Sequence, residues 1–301
     1  MSDTPEFTDR GKAQKDGRQM TIQQQTVFAF GAGYTVRALA SLVDHKQWRV
    51  AGTTRSVGGI TRLEALGIKG SVFNEETLPH PPAAAHWLIS TPPDDDGCPA
   101  YRAAGGLASE AASVTYLSTT GVYGDLGGGW AFEWTPRAPS SQRGARRVLA
   151  EDQWLAVRPD ARIVRLPGIY GPGRSPFDRV REGTARRIIK PGQVFSRIHV
   201  GDLARGLMDL LARPSLSGVF HLCDDEPAPP QDVTAFAAEL IGAQLPSEVA
   251  WESANLGVMA RSFYAECKRV SNARAKSALG WRPQYATYRE GLEAIESIKA
   301  L

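Results

Sequence analysis

VFAFGAGYTVRAL, residues 27–39, decides how this chain folds. Its first four residues are a continuous apolar run, the pattern of a strand buried on both faces. Gly31-Ala-Gly33 follows, and from Tyr34 to about Val43 the apolar spacing is helical. Strand, Gly-x-Gly and helix make the first turn of a dinucleotide-binding βαβ unit. Gly31 permits the tight turn, and Gly33 lets backbone amides approach a pyrophosphate at the helix N-terminus. Tyr34 and Thr35, which open the helix, join the two glycines as cofactor-binding candidates. The third glycine of the pattern falls at Val36, whose bulk sets the helix slightly outward but leaves the phosphate site.

The same alternation continues outward from this turn. Strands are expected at 48–52, 69–73, 85–89, 114–117 and 161–165, with helices at 58–66, 99–112 and 141–157 between them. Strands separated by helices at this spacing mean right-handed crossovers and a parallel sheet. Beyond residue 170 the pattern loosens into Pro- and Gly-rich loops. A short strand is expected near 194–198, a helix at 202–212, a strand at 218–222, and helices at 231–242, 271–279 and the end of the chain. The expected fold is α/β: a Rossmann-type doubly wound parallel sheet over 26–170, with a smaller C-terminal α+β substrate lobe over 171–301. Some strands or helices of that second part are allowed to return to the first. Residues 1–25, polar and charged, read as a disordered tail.

Composition narrows the classes. The 301 residues carry a formal net charge of +3, with pI about 8.8, too mild for a nucleic-acid binder. Arginines cluster at 143–147 and 174–187, which suits either a solvated helix face or a pocket for an anionic ligand. Cys98, Cys223 and Cys267 are odd in number and widely spaced, which indicates neither a disulfide framework nor a metal site. The first twenty residues lack the apolar centre of a secretory signal, and no run reaches the ~18 apolar residues of a membrane helix. The expected setting is the cytoplasm, with no membrane and no nucleic-acid partner.

The end of the second strand bears on the cofactor. A carboxylate there would accept the ribose hydroxyls of NAD. This chain has Thr53, Thr54 and Arg55 instead. A guanidinium flanked by hydroxyls suits a 2′-phosphate, so NADP is preferred over NAD, with Thr54 and Arg55 as contacts.

Four further segments, FGAGYTV at 30–36, YLSTTGVYGD at 116–125, RLPGIYGPG at 165–173 and RIHVGDLA at 197–204, resemble in order and spacing the short-chain dehydrogenase/reductase superfamily. The similarity is to its extended branch of NAD-dependent epimerases and dehydratases, and KRVSNARAKSALGWRP at 268–283 also looks like the end of sugar-nucleotide epimerases. The resemblance implies that Thr119 hydrogen-bonds the reacting oxygen of the substrate, with Ser118 and Thr120 as substrate-facing neighbours. It implies that Ser90, Thr91 and Pro92 border the cofactor and that Pro167, beside Leu166, lies near the nicotinamide. It also implies that Arg197 meets a substrate phosphate, while His199 and Asp202 belong to the start of the next helix. In that family, helices beside the active site often form a homodimer.

The chain departs from the family where a tyrosine and a lysine should stand one helical turn apart. Those positions hold Arg143 and Arg147. Arginine stays protonated near neutral pH and cannot act as an ordinary general base, although Arg147 can still hold ribose or phosphate. Thr119 and Tyr123 are therefore the catalytic candidates, with Tyr123 or a water supplying the proton, and packing is the competing role for Tyr123. The first reading is an atypical NAD(P)-dependent oxidoreductase or epimerase-like enzyme acting on a small-molecule substrate, nucleotide-linked compounds included. The alternative is a non-catalytic NADP(H)-binding sensor or regulatory module.

Overall fold

The computed structural model describes residues 24–74, 77 and 80–299. All but the last two residues of the expected tail lie outside the described residues. Seven strands form one parallel sheet: β1 Gln25–Phe30, β2 Trp48–Thr54, β3 Lys69–Val72, β4 His86–Ile89, β5 Ser113–Thr119, β6 Arg162–Leu166 and β7 Gly218–His221. Their order is β7-β6-β5-β4-β1-β2-β3. The chain thus adds strands first to one side of β1 and then to the other, and the crevice above β1 and β4 is the switch point where such sheets bind ligands.

Both faces of the sheet are covered, which is why its strands are nearly continuous apolar runs. On one face α1 (Tyr34–Ala40) packs against a long helix, Val200–Leu211, and both contribute to one core with Leu88, Val164 and Trp281. Val36 is wholly buried in that core. Helix α2 (Val57–Glu64) joins the same face through Leu63, and on the other face lie α3 (Pro99–Ala104) and α4 (Gln142–Val157). There Trp154 of α4 meets Trp87 edge to face, with ring centroids 6.4 Å apart.

One segment differs from the sequence reading, and one strand makes the return that the reading allowed. The helix expected over 99–112 stops at Ala104 and continues as a 3₁₀ turn, Gly105–Glu110; the Gly105-Gly106 pair makes α-helix costly there. Gly218–His221, in the part assigned to the second lobe, pairs with β6 and completes the main sheet. The helix Ala273–Leu279 joins the first core through Ala275 and Leu279, and other C-terminal elements form a separate core. It is built by the helices Pro230–Leu240 and Tyr288–Lys299 around Tyr170, Phe177, Val233 and Leu292.

Candidate functional site

A cavity of about 850 Å³ opens where the carboxyl ends of β5 and β6 face the C-terminal lobe. Thr119, the last residue of β5, stands in register with Leu166, and Pro167 and Gly168 continue the floor. The Thr119 hydroxyl oxygen accepts the Gly121 N–H at 3.2 Å. Among the described residues its own proton has no acceptor. Thr120 also lines the cavity, as do Arg143, Arg174, Arg179 and Arg186. Members of both arginine clusters of the sequence therefore face one space.

The first turn of α4 forms one wall. Ser141 caps it by accepting the Gly144 N–H at 3.2 Å. Gly144 lies so close to the Thr119 turn that a Cβ would stand 2.6 Å from the Gly121 carbonyl oxygen; any side chain there would push the helix off the site. Arg143 is exposed, with its guanidinium 5.2 Å from the Phe263 ring centroid. Arg147, one turn on, donates to the Leu117 carbonyl at 2.7 Å and to the Tyr116 hydroxyl at 3.1 Å. Across the cavity Arg197 donates to the carbonyls of Phe195 and Ala228, at 2.7 and 3.0 Å. His199 caps the helix Val200–Leu211 by accepting the Gly201 N–H at 3.2 Å, and Asp202 accepts the amides of Gln284 and Tyr285.

Two expected site residues are not at the cavity. Ser118 is buried and donates to Glu151 Oε1 at 2.5 Å, so it faces the floor of α4 rather than a substrate. Tyr123 has no exposed surface. Its hydroxyl donates to His221 Nε2 at 2.6 Å and accepts from Arg165 at 2.8 Å. His221 Nδ1 lies 2.9 Å from the Ser271 carbonyl, which fixes the tautomer: Nδ1 carries the proton and Nε2 accepts. Burial pushes the Tyr123 phenol up to about 12. A hydroxyl so enclosed cannot reach a substrate, because the turn Thr120–Tyr123 points it inward as a core residue. Tyr123→Phe should therefore lower stability by about 1–3 kcal/mol while leaving dinucleotide affinity and turnover within about twofold. A large loss of turnover in a folded variant would contradict this placement.

The crevice end of the sheet brings the other candidates together. Gly31 has φ +87°, and its N–H donates to Thr53 Oγ1 at 2.8 Å. Above Gly33 the space is open: no atom lies within 4 Å of where a Cβ would stand. The first intrahelical bond of α1 runs from the Arg37 amide to the Gly33 carbonyl, so the amides of Tyr34, Thr35 and Val36 are uncommitted within the helix. The Thr35 side chain is buried, and the Tyr34 hydroxyl donates to the Pro172 carbonyl at 3.0 Å. Thr91 packs against Gly31, within 3.3 Å of its Cβ position, and Ser90 and Pro92 flank it at the end of β4.

Beyond β2 a smaller pocket of about 370 Å³ is lined by Thr54, Arg55, Arg37 and Arg62. None of its lining residues is acidic, and none of the three guanidiniums makes an ion pair or side-chain hydrogen bond with another described residue. Arg37 and Arg62 escaped the sequence reading. Their only signal was an arginine on each of the two helices that flank the end of β2. Among the described residues no cluster of His, Cys, Asp and Glu could hold a metal ion, and no helix is long and apolar enough to cross a membrane.

A parallel seven-stranded sheet of this order, with a Gly-x-Gly turn at its switch point and a lobe over β5 and β6, is the fold of the NAD-dependent epimerases and dehydratases. The dTDP-glucose 4,6-dehydratase of Bacillus anthracis, solved with NAD, superposes with TM-score 0.71 over 92% of this chain and 97% of its own, at 15% identity. A functionally unknown conserved protein from Silicibacter pomeroyi is far nearer: 46% identity and TM-score 0.86, over 92% of this chain and all of that one. The chain belongs to the same family as the Silicibacter protein. A 3-diazoavenalumate denitrifying reductase from a Streptomyces species is 30% identical over 159 residues. This chain spans about half of that relative's length, 51%. No protein-family model matches the chain.

Proposed function

We propose that this protein is an NADP(H)-dependent oxidoreductase of the atypical short-chain dehydrogenase/reductase kind, acting on a small molecule held in the 850 Å³ cavity. The observation that carries the reading is the line of features along one edge of the sheet. The three-arginine pocket lies at β2, the Gly31–Gly33 turn at β1, Ser90–Pro92 at β4 and Thr119 at β5. Three inter-strand steps span about 14 Å, a reach suited to an extended dinucleotide. Arg37, Arg55 and Arg62 would take the 2′-phosphate, the amides of the first turn of α1 the pyrophosphate, and Arg147 and Pro167 the nicotinamide ribose and ring. Bound NADPH supplies the hydride. Thr119 holds and polarises the acceptor, and Arg197 with its neighbouring arginines holds an anionic part of the substrate.

The Streptomyces relative, a reductase by name, supports redox chemistry here. The dehydratase was solved with NAD, so the preference for NADP rests on the unpaired arginines of this chain alone. Each charge-assisted hydrogen bond to phosphate contributes roughly 1.5–3 kcal/mol. Arg55→Ala combined with Arg37→Ala should weaken NADPH binding at least about 100-fold and leave NADH within threefold, read by nicotinamide fluorescence. Tighter binding of NADH than NADPH by the wild type would overturn the preference.

A second reading, a dinucleotide sensor without turnover, is favoured by Arg143 and Arg147 in place of the tyrosine and lysine. It expects NADP(H) binding with no oxidation of NADPH by any aldehyde, ketone, quinone or diazo acid tested.

A further inference from the structure

The oxidoreductase reading leaves one role unfilled, that of the group that moves the proton. A guanidinium, as at Arg143, is no ordinary proton donor or base. Tyr170, at the cavity floor, turns its hydroxyl toward the Thr287 carbonyl (3.5 Å) and against Gly291. Tyr264 has its ring between Phe195 and Trp251, on the lobe side beside Arg179 and Arg197.

Lys268 is placed differently. It precedes the two-residue strand Arg269–Val270, lines the cavity and is only 9% exposed. Its Nζ lies 2.5 Å from Glu266 Oε2, and Glu266 Oε1 accepts the Ser140 hydroxyl at 2.5 Å. The Gln193 side chain fixes the Glu266 backbone through a 2.7 Å bond to its carbonyl. Ser140 directly precedes the cap of α4, and Gly144 of that helix abuts the Gly121 carbonyl beside Thr119. A short chain of contacts therefore ties the ammonium to the wall that carries Thr119. Glu266 takes one of its three N–H groups, and the others have no hydrogen-bond partner among the described residues.

We propose that Lys268 is the proton donor of this site, in place of the tyrosine that α4 lacks, with Glu266 and Ser140 as positioning residues. The proposal rests on the oxidoreductase reading. As a substrate carbonyl carbon accepts hydride from NADPH, the C=O π pair moves onto oxygen. That oxygen takes a proton from Lys268 Nζ while accepting a hydrogen bond from Thr119. The products are the alcohol and NADP⁺, and the neutral amine regains its proton from water.

Lys268→Arg keeps a cation beside Glu266 but donates its proton poorly, and Lys268→Ala opens room for an added amine. Both should bind NADPH within twofold of the wild type and lose about 100-fold or more in kcat, with KM nearly unchanged. The assay follows NADPH oxidation with a panel of aldehydes, ketones, quinones and diazo acids. Ethylamine should restore turnover to Lys268→Ala and leave the wild type unaffected. A readout free of turnover is the ¹³C-dimethyl resonance of Lys268, identified by its absence in Lys268→Arg. It should move when NADP⁺ is added, while those of Lys46 and Lys69 stay.

Turnover retained within a few-fold in Lys268→Arg, or an unmoved resonance under saturating NADP⁺, overturns the assignment and leaves the oxidoreductase reading standing. A wild type that binds NADPH but oxidises it with no member of the panel removes both in favour of the sensor. A wild type that binds no dinucleotide removes all three. Should Lys268→Ala fail to fold, Lys268→Arg carries the test.

Discussion

Glu151→Ala should lower the stability of the folded protein by about 3–5 kcal/mol, the largest single-residue effect expected. Glu151, on the inner face of α4, is wholly buried. Its carboxylate takes a two-pronged bond from Arg165, at 3.0 and 2.7 Å, together with the Ser118 hydroxyl and Arg137. Arg165 then bonds Tyr123, and Tyr123 bonds His221. The network thus joins α4, β5, β6, the Thr120–Tyr123 turn and β7 below the cavity floor. Removing the carboxylate leaves the Arg165 guanidinium buried without its counter-charge, which costs more than the pair itself contributes. A fall in Tm of about 10 °C is expected, against little change in Asp152→Ala, whose side chain is half-exposed. The double change Glu151→Leu with Arg165→Met should recover much of the loss, because it removes the stranded charge as well. Equal Tm values for Glu151→Ala and Asp152→Ala would refute the account.

Acid should destabilise the protein well above the range where carboxylates titrate. His86, His199 and His221 are buried, and burial lowers each from the ordinary 6.5 to about 4, helped at His86 by the Arg162 guanidinium. An imidazole with a lower pKa in the fold than in the unfolded chain binds its proton more readily once unfolded. The contribution is therefore complete above about pH 6.5 and is lost as pH falls toward 4. Linkage gives roughly 2 kcal/mol for each imidazole at pH 5. Asp224 and Glu133 act in the opposite sense, since burial raises both carboxyls and the folded state then gains protons first on acidification. Urea unfolding at pH 5 should still show a stability at least about 3 kcal/mol below that at pH 7.5. An unchanged midpoint across that interval would show that the three imidazoles are solvated.

The main sheet was legible because its strands carry their own pattern. β1 and β4 are apolar runs followed directly by Gly31 and Ser90, and β5 ends in Thr119, from which the positions of Arg143 and Arg147 were counted. Gly218–His221 was seen as a strand, but its return to the sheet depends on pairing with β6, more than fifty residues away, and no local pattern records that. The same limit explains Tyr123 and Ser118. The spacing puts both beside Thr119 in the chain. Whether a side chain at the end of a strand points into the cavity or under it is set by Glu151, Arg165 and His221, which come from three other elements. Arg37, Arg62 and Lys268 were missed for the complementary reason: each reaches its pocket from a segment whose motif, where it has one, concerns other residues.

The position of Tyr170 has a consequence for how the protein is made. Its ring closes the cavity floor against Gly291, where a Cβ would stand 2.0 Å from the phenolic oxygen, and its hydroxyl meets a carbonyl 117 residues later. During synthesis the seven-stranded sheet has all its strands once His221 has emerged. Tyr170 lacks its partner helix until Tyr288–Lys299 has emerged. The seven-stranded sheet can therefore assemble first, while the core around Tyr170 closes only once that helix has followed. A nascent chain arrested near residue 240 would expose an apolar surface around Tyr170 and Phe177, the surface that a holdase chaperone recognises.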